Sequence, residues 1–542
     1  MRWKGILFVC TTLLSSLVCI GQTPTDYLPA SFHKEKRDML RNKMAKNSVT
    51  VVFSNPIRNR ANDVDYVFHQ DPNFYYLTGF REPNAVLLLF SEDQTDATGN
   101  TYNEILYVPK KDERYEMWNG KRLGVAGAKN ELGFTTVKTT DNFLTDAIDY
   151  KNFEAVYIEK FKDDYRDSKR NMTDLHDLVT HFKNKSGYNK ANFFLNEKES
   201  IYTLIKSTPI ENSANVARYI GKAITYYPSI KNDKLLMDYK DTENNDLRKE
   251  IRERVIKEMN QVNLNISHFP KTMAELREIK SKEELKLLTK AVRISAIGQV
   301  EVMKAMKPNM SETEIQGIHE FVYKKYGAEY EGYPSIVGAG NNGCILHYID
   351  NNKMKVGNEL VLMDLGAEYR GYTADVTRTI PANGKFSPEQ KIIYELVLKA
   401  QDAGIAACVK GNDFWKPNTE AKKVINEGLY KLGIIESPEA GHSYFPHGTS
   451  HHIGLDVHDP GTYNTLAPNM VITVEPGIYI PEGSQCDKKW WGIAVRIEDD
   501  ILITDQKPVN LSGEAPREVK AIENMMKKKS VLDGFVLPNL DN

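Results

Sequence analysis

Residues 444–459 read Tyr444-Phe-Pro-His-Gly-Thr-Ser-His-His-Ile-Gly-Leu-Asp-Val-His-Asp459. His447, His451, His452 and His458 fall in this one stretch, although the whole chain holds only 12 histidines. Segments that alternate like strands and carry carboxylates lie on both sides of it. Upstream is Val361-Leu-Met-Asp364-Leu-Gly-Ala-Glu-Tyr-Arg-Gly-Tyr-Thr-Ala-Asp375-Val-Thr-Arg378, and downstream are Thr473-Val-Glu475-Pro-Gly and Val495-Arg-Ile-Glu498-Asp. Acidic groups brought together by strands, beside a histidine-rich segment, are a donor set for divalent cations.

Spacing places the carboxylates in pairs. Glu368-Tyr-Arg-Gly371 reads as a turn centred between Tyr369 and Arg370, which sets Asp364 opposite Asp375 across an antiparallel hairpin. Directly opposed positions hold their Cβ atoms about 4.5–5.5 Å apart. Two bare carboxylates there repel by about 4 kcal/mol at roughly 4 Å with an effective dielectric near 20. A positive charge must sit between them, or one must hold a proton. Met470–Glu475 and Gly492–Glu498 are joined by a loop around Cys486, and a symmetric pairing sets Glu475 opposite Glu498. Arg496 shares the strand face of Glu498.

Two divalent cations neutralise Asp364, Asp375, Glu475 and Glu498, and His451 adds a nitrogen ligand. Such a pair, about 3.5–4 Å apart, can bridge and deprotonate a water and so make a nucleophile near neutral pH. The oxygen-rich set suits a hard ion, Mn2+ first, with Co2+, Zn2+ or Fe2+ as alternatives. His347 and His458 are candidates for work beside the metals, hydrogen-bonding an oxyanion or moving a proton to a leaving nitrogen. His452 is expected on the opposite face from His451.

Composition limits the partners. Lys and Arg total 71 against 73 Asp and Glu, so no general attraction to nucleic acid or an anionic membrane is implied. Arg2 and Lys4 precede the apolar run 5–20, and Cys19-Ile-Gly21 supplies small residues before a cut at Gly21–Gln22. This reads as a secretory signal peptide over 1–21, with an uncleaved signal anchor as the alternative. The expected location is periplasmic or secreted, with no stable membrane insertion after signal removal. Cys344, Cys408 and Cys486 are too few and scattered for a disulfide framework and are expected as free thiols.

The remainder reads as an N-terminal α/β domain over 22–268, a catalytic domain over 269–530 and a tail over 531–542. Val49–Phe53, Ala85–Phe90 and Glu104–Val108 are strand-like, and the aromatic stretch Gln70–Phe80 reads as core packing. Asp246–Met259 reads as a solvated amphipathic helix. Phe269-Pro270 is the expected break between the domains. Ser281-Lys-Glu-Glu284 and Ser311-Glu-Thr-Glu314 open helices with capping boxes, and further helices are predicted from Ser387 to about Cys408 and from about Thr419 to Leu432. Helices and a carboxylate hairpin occur twice in succession, which hints at two similar halves closing on one site.

At these residues the sequence resembles the aminopeptidase P and prolidase group of pita-bread metallopeptidases. His447-Gly-Thr-Ser-His-His-Ile-Gly-Leu-Asp-Val-His-Asp459, Met363-Asp-Leu-Gly, Ala374-Asp-Val-Thr-Arg-Thr, Thr473-Val-Glu-Pro-Gly-Ile-Tyr479 and Val495-Arg-Ile-Glu-Asp-Asp500 carry the likeness. Gln70-Asp-Pro-Asn-Phe-Tyr-Tyr-Leu-Thr-Gly-Phe80 and Met117-Trp-Asn-Gly-Lys-Arg-Leu-Gly124 extend it to the aminopeptidase P N-terminal domain. The resemblance implies an α/β (α+β) fold with a C-terminal pita-bread domain of pseudo-two-fold halves. It implies Asp364, Asp375, His451, Glu475 and Glu498 as ligands of two metal ions, Asp375 and Glu498 bridging, and Glu475 also handling the nucleophile's proton. His458 is implied as oxyanion partner and His347 as a substrate-side or proton-relay group. His447 and Arg496 also fall on motif positions, and Asp63 and Trp118 are N-domain positions that approach a site, a neighbouring subunit's included. The implied activity is release of the N-terminal residue from peptides with proline second, by a homo-oligomer (dimer or tetramer). A prolidase confined to dipeptides and a non-catalytic binding module on the same fold are the alternatives.

Overall fold

The computed structural model describes residues 24–538 apart from 97, 163, 168–170, 172, 189–196, 260–262 and 536. The expected signal peptide and the last residues of the tail lie outside the described residues. Among the described residues, no helix is long and apolar enough to cross a membrane, and Cys344, Cys408 and Cys486 are free thiols.

The N-terminal part is built on a six-stranded sheet. Its strands are β1 (Ser48–Phe53), β2 (Val86–Thr95), β3 (Thr101–Val108), β4 (Val137–Thr139), β5 (Ala155–Tyr157) and β6 (Leu264–Asn265), in the order β4-β3-β2-β1-β5-β6. The three central strands pair antiparallel, and the outer pairings are parallel. Alternation along β2 explains why its apolar run is unbroken. Val86, Leu88 and Phe90 enter one core, while Leu87 and Leu89 enter the other. That second core continues without a break into Met273, Leu288 and Val292 of the following domain. The sheet therefore backs directly onto the part of the chain that carries the metal-ligand candidates.

Residues 197–259 form a separate helical lobe with its own core of Tyr202, Ile220, Leu236, Tyr239 and Val255. Asn245–Met259 is one of its helices and buries Arg248, Ile251 and Val255. Phe269 and Pro270, the expected break, lie in the first turn of helix His268–Arg277. A proline there sacrifices no helical hydrogen bond.

The C-terminal part repeats one plan. Helices α1 (Lys282–Ala305) and α2 (Glu312–Lys325) precede the strands β7 (Ile336–Ala339), β8 (Leu360–Asp364), β9 (Ala367–Tyr369), β10 (Tyr372–Thr373) and β11 (Thr377–Pro381). Helices α3 (Pro388–Ala407) and α4 (Lys416–Lys431) precede β12 (Val471–Val474), β13 (Gly477–Ile480), β14 (Ile493–Arg496) and β15 (Asp499–Leu502). The capping boxes at Ser281 with Glu284 and at Ser387 with Gln390 are both formed, and Ser311 accepts the Glu314 N–H. Leu288, Ala291 and Val292 on α1 and Ile315, Ile318 and Val322 on α2 are buried.

The downstream carboxylate hairpin has the expected register. Val474 pairs with Asp499 and Gly477 with Arg496, and the same register sets Glu475 opposite Glu498. The upstream one does not. Asp364 pairs with Thr377, and Asp375 lies in the link between β10 and β11. The turn is centred one residue later than expected: Tyr369 pairs with Tyr372 around Arg370 and Gly371, whose φ angles are 53° and 86°. Positive φ at both central residues makes a tight two-residue turn that matches the twist of the strands. Arg370 is held in this conformation, unfavourable for a side chain, by Asp26 and Glu329. At the crossing a Cβ on Gly366 would overlap the carbonyl oxygen of Ala374, so only glycine lets the strands close.

Candidate metal centre

A cleft of about 830 Å3 opens in the C-terminal domain, and Asp364, Asp375, His451, Glu475 and Glu498 all line it. One donor atom each from Asp375, His451 and Glu498 lies within 4.8 Å of the others. Glu475 Oε1 is 3.7 Å from His451 Nε2, and Asp375 Oδ2 is 3.5 Å from it. The Tyr333 hydroxyl, 2.6 Å from Asp364 Oδ1 and 2.5 Å from Asp375 Oδ1, joins the two aspartates despite the shifted register. Asp167, His176 and Asp177 form the other close group of such donors among the described residues, at the surface.

Four of the five ligand candidates are aimed by a neighbour. His451 Nδ1 is 2.9 Å from the His452 carbonyl, which accepts its proton and aims Nε2 at the carboxylates. Glu498 Oε2 accepts from the Thr377 hydroxyl at 2.6 Å, and the Asp375 N–H donates to Asp500 Oδ2 at 3.1 Å. Arg496 Nη2 donates to Asp364 Oδ2 at 2.5 Å. Below the site, fully buried Arg378 donates to Asp499 and to the Glu498 carbonyl, which fixes the backbone at Glu498, between β14 and β15.

The electrostatics record excess negative charge. Burial, reinforced by Asp364, raises the Asp375 carboxyl. Burial and Asp375 raise Glu498 well above the usual range. Glu475 is pushed up to about 7 by burial, with His451 opposing and Asp375 adding. Burial alone would raise Asp364 too, but the Arg496 guanidinium and the hydrogen bond from Tyr333 together outweigh it and hold that carboxyl low. Burial lowers His451, yet Asp375 and Glu475 overcome this and lift it to about 9. Glu498 Oε1 is buried with no hydrogen-bond partner among the described residues. An orphaned carboxylate oxygen among three clustered donors is what a divalent cation satisfies, so the residues fit such an ion.

The remaining candidates take different positions. His447 Nε2 is 2.7 Å from the Tyr479 hydroxyl and its Nδ1 is 2.7 Å from the Gly448 carbonyl. Arg496 Nη1 donates to the same hydroxyl at 2.8 Å. The directions are therefore fixed: arginine donates to the phenol, the phenol to the imidazole, and the imidazole to the carbonyl. Burial, then Arg496, lowers His447 to about 4, consistent with this neutral form. His458 is solvent-facing on the rim, its ring edge-on to His451 with centroids 4.5 Å apart. His347 is exposed and lines the same cleft. His452 points away, buried against Phe414 and Tyr463. Asp63 and Trp118 do not line their own chain's cleft, and Trp118 is 81% exposed.

Tyr333 and Tyr479 are site residues that the sequence reading passed over. Tyr479 was within reach, because it follows Glu475 by four residues and alternation keeps both on one face. A Cβ on Gly477 would collide with the Tyr479 hydroxyl, which explains the glycine between them. Tyr333 follows Tyr330–Glu331, which pairs with β9, and nothing local ties it to aspartates 31 and 42 residues away.

Comparison with known proteins comes to the same place. The model of metallopeptidase family M24 matches residues 286–505, and that of the aminopeptidase P N-terminal domain matches 33–156. A Xaa-Pro aminopeptidase of Haemophilus influenzae is 33% identical over 513 residues, covering 92% of this chain and 98% of that protein. A Xaa-Pro aminopeptidase of Escherichia coli is 30% identical over 505 residues, covering 91% and 97%. The solved structure of E. coli aminopeptidase P with the inhibitor Pro-Leu superposes with a TM-score of 0.69 at 28% identity, covering 92% of this chain and 98% of that one.

Proposed function

Because this chain belongs to metallopeptidase family M24, we propose that it is a Xaa-Pro aminopeptidase, releasing the N-terminal residue from peptides with proline in second place. The carrying observation is the meeting of Asp375, His451 and Glu498 at one point of the cleft, with Glu475 and Asp364 beside them. The preference for proline rests on the relatives' activity.

We assign Asp364, Asp375, His451, Glu475 and Glu498 as the residues that would hold two divalent cations, Mn2+ by the hardness of the oxygen donors, with Asp375 and Glu498 as those that would serve both. Such cations supply positive charge that acidifies water and polarises a carbonyl. Glu475, beside His451 and at the wall of the cleft, takes the proton of the attacking water. His458 on the rim donates a hydrogen bond to the developing oxyanion. His347, across the cleft, holds the substrate or passes a proton to the departing proline nitrogen. Arg496 and His447 position: Arg496 holds Asp364 and Tyr479 together, and His447 receives the Tyr479 proton.

The chain works as a homo-oligomer, dimer or tetramer, that covers an apolar surface on the N-terminal domain. Met117 and Trp118 are 80% and 81% exposed there, and sedimentation reads the assembly. It is exported, and sequencing the mature N-terminus tests the cut at Gly21–Gln22.

A peptide panel that varies length and the second residue, with and without added Mn2+, tests the function. Release of the first residue from Xaa-Pro tripeptides and longer peptides, dependent on metal, is expected. Cleavage of dipeptides alone would make the protein a prolidase, and no metal-dependent cleavage at all would sink the hydrolase reading.

A further inference from the structure

Two aromatic side chains on the wall of the metal cleft, Trp415 and Tyr463, take no part in holding the ligand candidates. Their rings stack, with centroids 5.9 Å apart and planes 16° from parallel. Buried Phe414 meets both edge-on, at 5.5 Å and 4.7 Å, and braces the pair. Tyr463 also abuts buried His452, the neighbour of His451, at 5.1 Å.

The backbone around the pair is pinned. Trp415 is the residue before α4, and its N–H donates to Asp413 Oδ1 at 2.9 Å. Residues 411–414 are zipped to 464–466. The Phe414 N–H donates to the Asn464 carbonyl at 2.7 Å, the Gly411 N–H to the Leu466 carbonyl at 2.9 Å and the Leu466 N–H to the Asn412 carbonyl at 2.8 Å. Tyr463 has a φ of 54°, a left-handed conformation that a bulky side chain rarely takes. Such strain persists only where the surroundings over-determine it, as these contacts do. Trp415 nonetheless stays 48% exposed. A rigid, strained aromatic surface left open on the wall of a cleft is a surface on which a ligand can stack.

The pair stands on the flank of the site that carries His451 and Glu475. Asn418 Oδ1, one turn into α4, accepts from the Thr449 hydroxyl at 2.9 Å, and the Thr449 carbonyl accepts from the Glu475 N–H at 2.9 Å. Leu346, His347 and Ile349 line the cleft from the other half of the domain, and His347 is assigned above to the proline side. The residues before and after a scissile carbonyl held at the cluster diverge, so the one before proline turns toward Trp415 and Tyr463. Resting on the Xaa-Pro aminopeptidase reading, we propose that this aromatic pair receives the side chain of the released N-terminal residue and selects peptides that begin with an aromatic or large apolar residue. Stacking on a fixed ring face favours an aromatic side chain beyond the area it buries, and an alanine methyl gains nothing from it.

Steady-state kinetics of the full, Mn2+-loaded protein on Phe-Pro-Ala, Leu-Pro-Ala, Ala-Pro-Ala and Ala-Pro-Phe test it. The parent should favour Phe and Leu over Ala in first place by about fivefold or more in kcat/KM, and Trp415→Ala should lower the Phe-to-Ala ratio about fivefold. Trp415→Phe, which keeps a flat ring, should retain about half of the preference or more. Trp415→Leu, which keeps bulk without the ring face, reads the same loss should Trp415→Ala fail to fold. Cleavage by the parent with no first-residue preference overturns this inference alone, whereas no cleavage of any peptide overturns it together with the peptidase reading. A ratio unchanged in Trp415→Ala, a loss shared equally by all the peptides, or a loss that follows the third residue in Ala-Pro-Phe against Ala-Pro-Ala refutes it as well.

Discussion

Replacing Asp375 with Asn keeps the shape of the side chain and removes one buried negative charge. Tyr333 can still donate to the amide oxygen, and the new NH2 group faces His451 Nε2, so packing is preserved. Donor atoms of Asp375 and Glu498 lie within 4.8 Å. At that spacing, with an effective dielectric near 20, the repulsion relieved is about 3.5 kcal/mol. The raised carboxyls already shed part of it by holding protons, and below about pH 9 the variant also loses the attraction between Asp375 and protonated His451, so the comparison is made above that pH, where the metal-stripped variant should gain about 1–3 kcal/mol over the metal-stripped parent. The loaded state should reverse the order. A cation at a hundredfold excess over its Kd stabilises by about 2.7 kcal/mol, and the variant forfeits that for each ion it no longer holds. Thermal unfolding of both proteins in chelator and in excess Mn2+, with metal analysis of the dialysed samples, reads both signs. A stripped variant less stable than the stripped parent, or one that still retains two Mn2+, would refute the reasoning. The pH dependence carries the same sign. Asp375, Glu475 and Glu498 bind protons in the folded chain that the unfolded chain has released, so stripped stability falls as pH rises from the carboxylate range through about 7. The contribution of His451 is full below its ordinary 6.5 and is lost as pH rises through about 9. Metal loading opposes this trend, because protons compete for the same ligands.

His458→Ala should lower kcat by about a hundredfold to a thousandfold with metal content unchanged, and a loss under fivefold removes it from the oxyanion role. Asp459 is buried and accepts from Arg277 Nη2 at 2.5 Å and Lys280 Nζ at 2.9 Å, so Asp459→Asn should cost about 3–5 kcal/mol by stranding two cations. Burial alone would raise that carboxyl, but Arg277 and Lys280 hold it low, so its stabilisation is full above the ordinary 3.8 and fades as pH falls further; a denaturation cost below about 1 kcal/mol contradicts the clamp. Gly366→Ala should abolish soluble, metal-binding protein, because the added methyl meets backbone that cannot move aside. Full expression and activity of that variant would contradict the strand crossing.

The local features were legible because they depend on neighbours along the chain. Runs rich in β-branched and aromatic residues marked β1, β2 and β3, and serine followed three residues later by Glu marked the starts of α1 and α2. Motif residues pointed to five ligand candidates that line one cleft. Even the register of Glu475 against Glu498 followed from pairing across a loop. Where the sequence was insufficient, the deciding contact came from far away. The turn at Arg370 and Gly371 is held by Asp26, 344 residues earlier, and by Glu329, so local turn signals placed it one residue off. Tyr333 across the two aspartates, Arg496 on Asp364, and the stacking of Trp415 on Tyr463 all depend on how folded surfaces meet. Sequence periodicity decides which residues share a face; only burial in a common core decides which faces come within bonding distance.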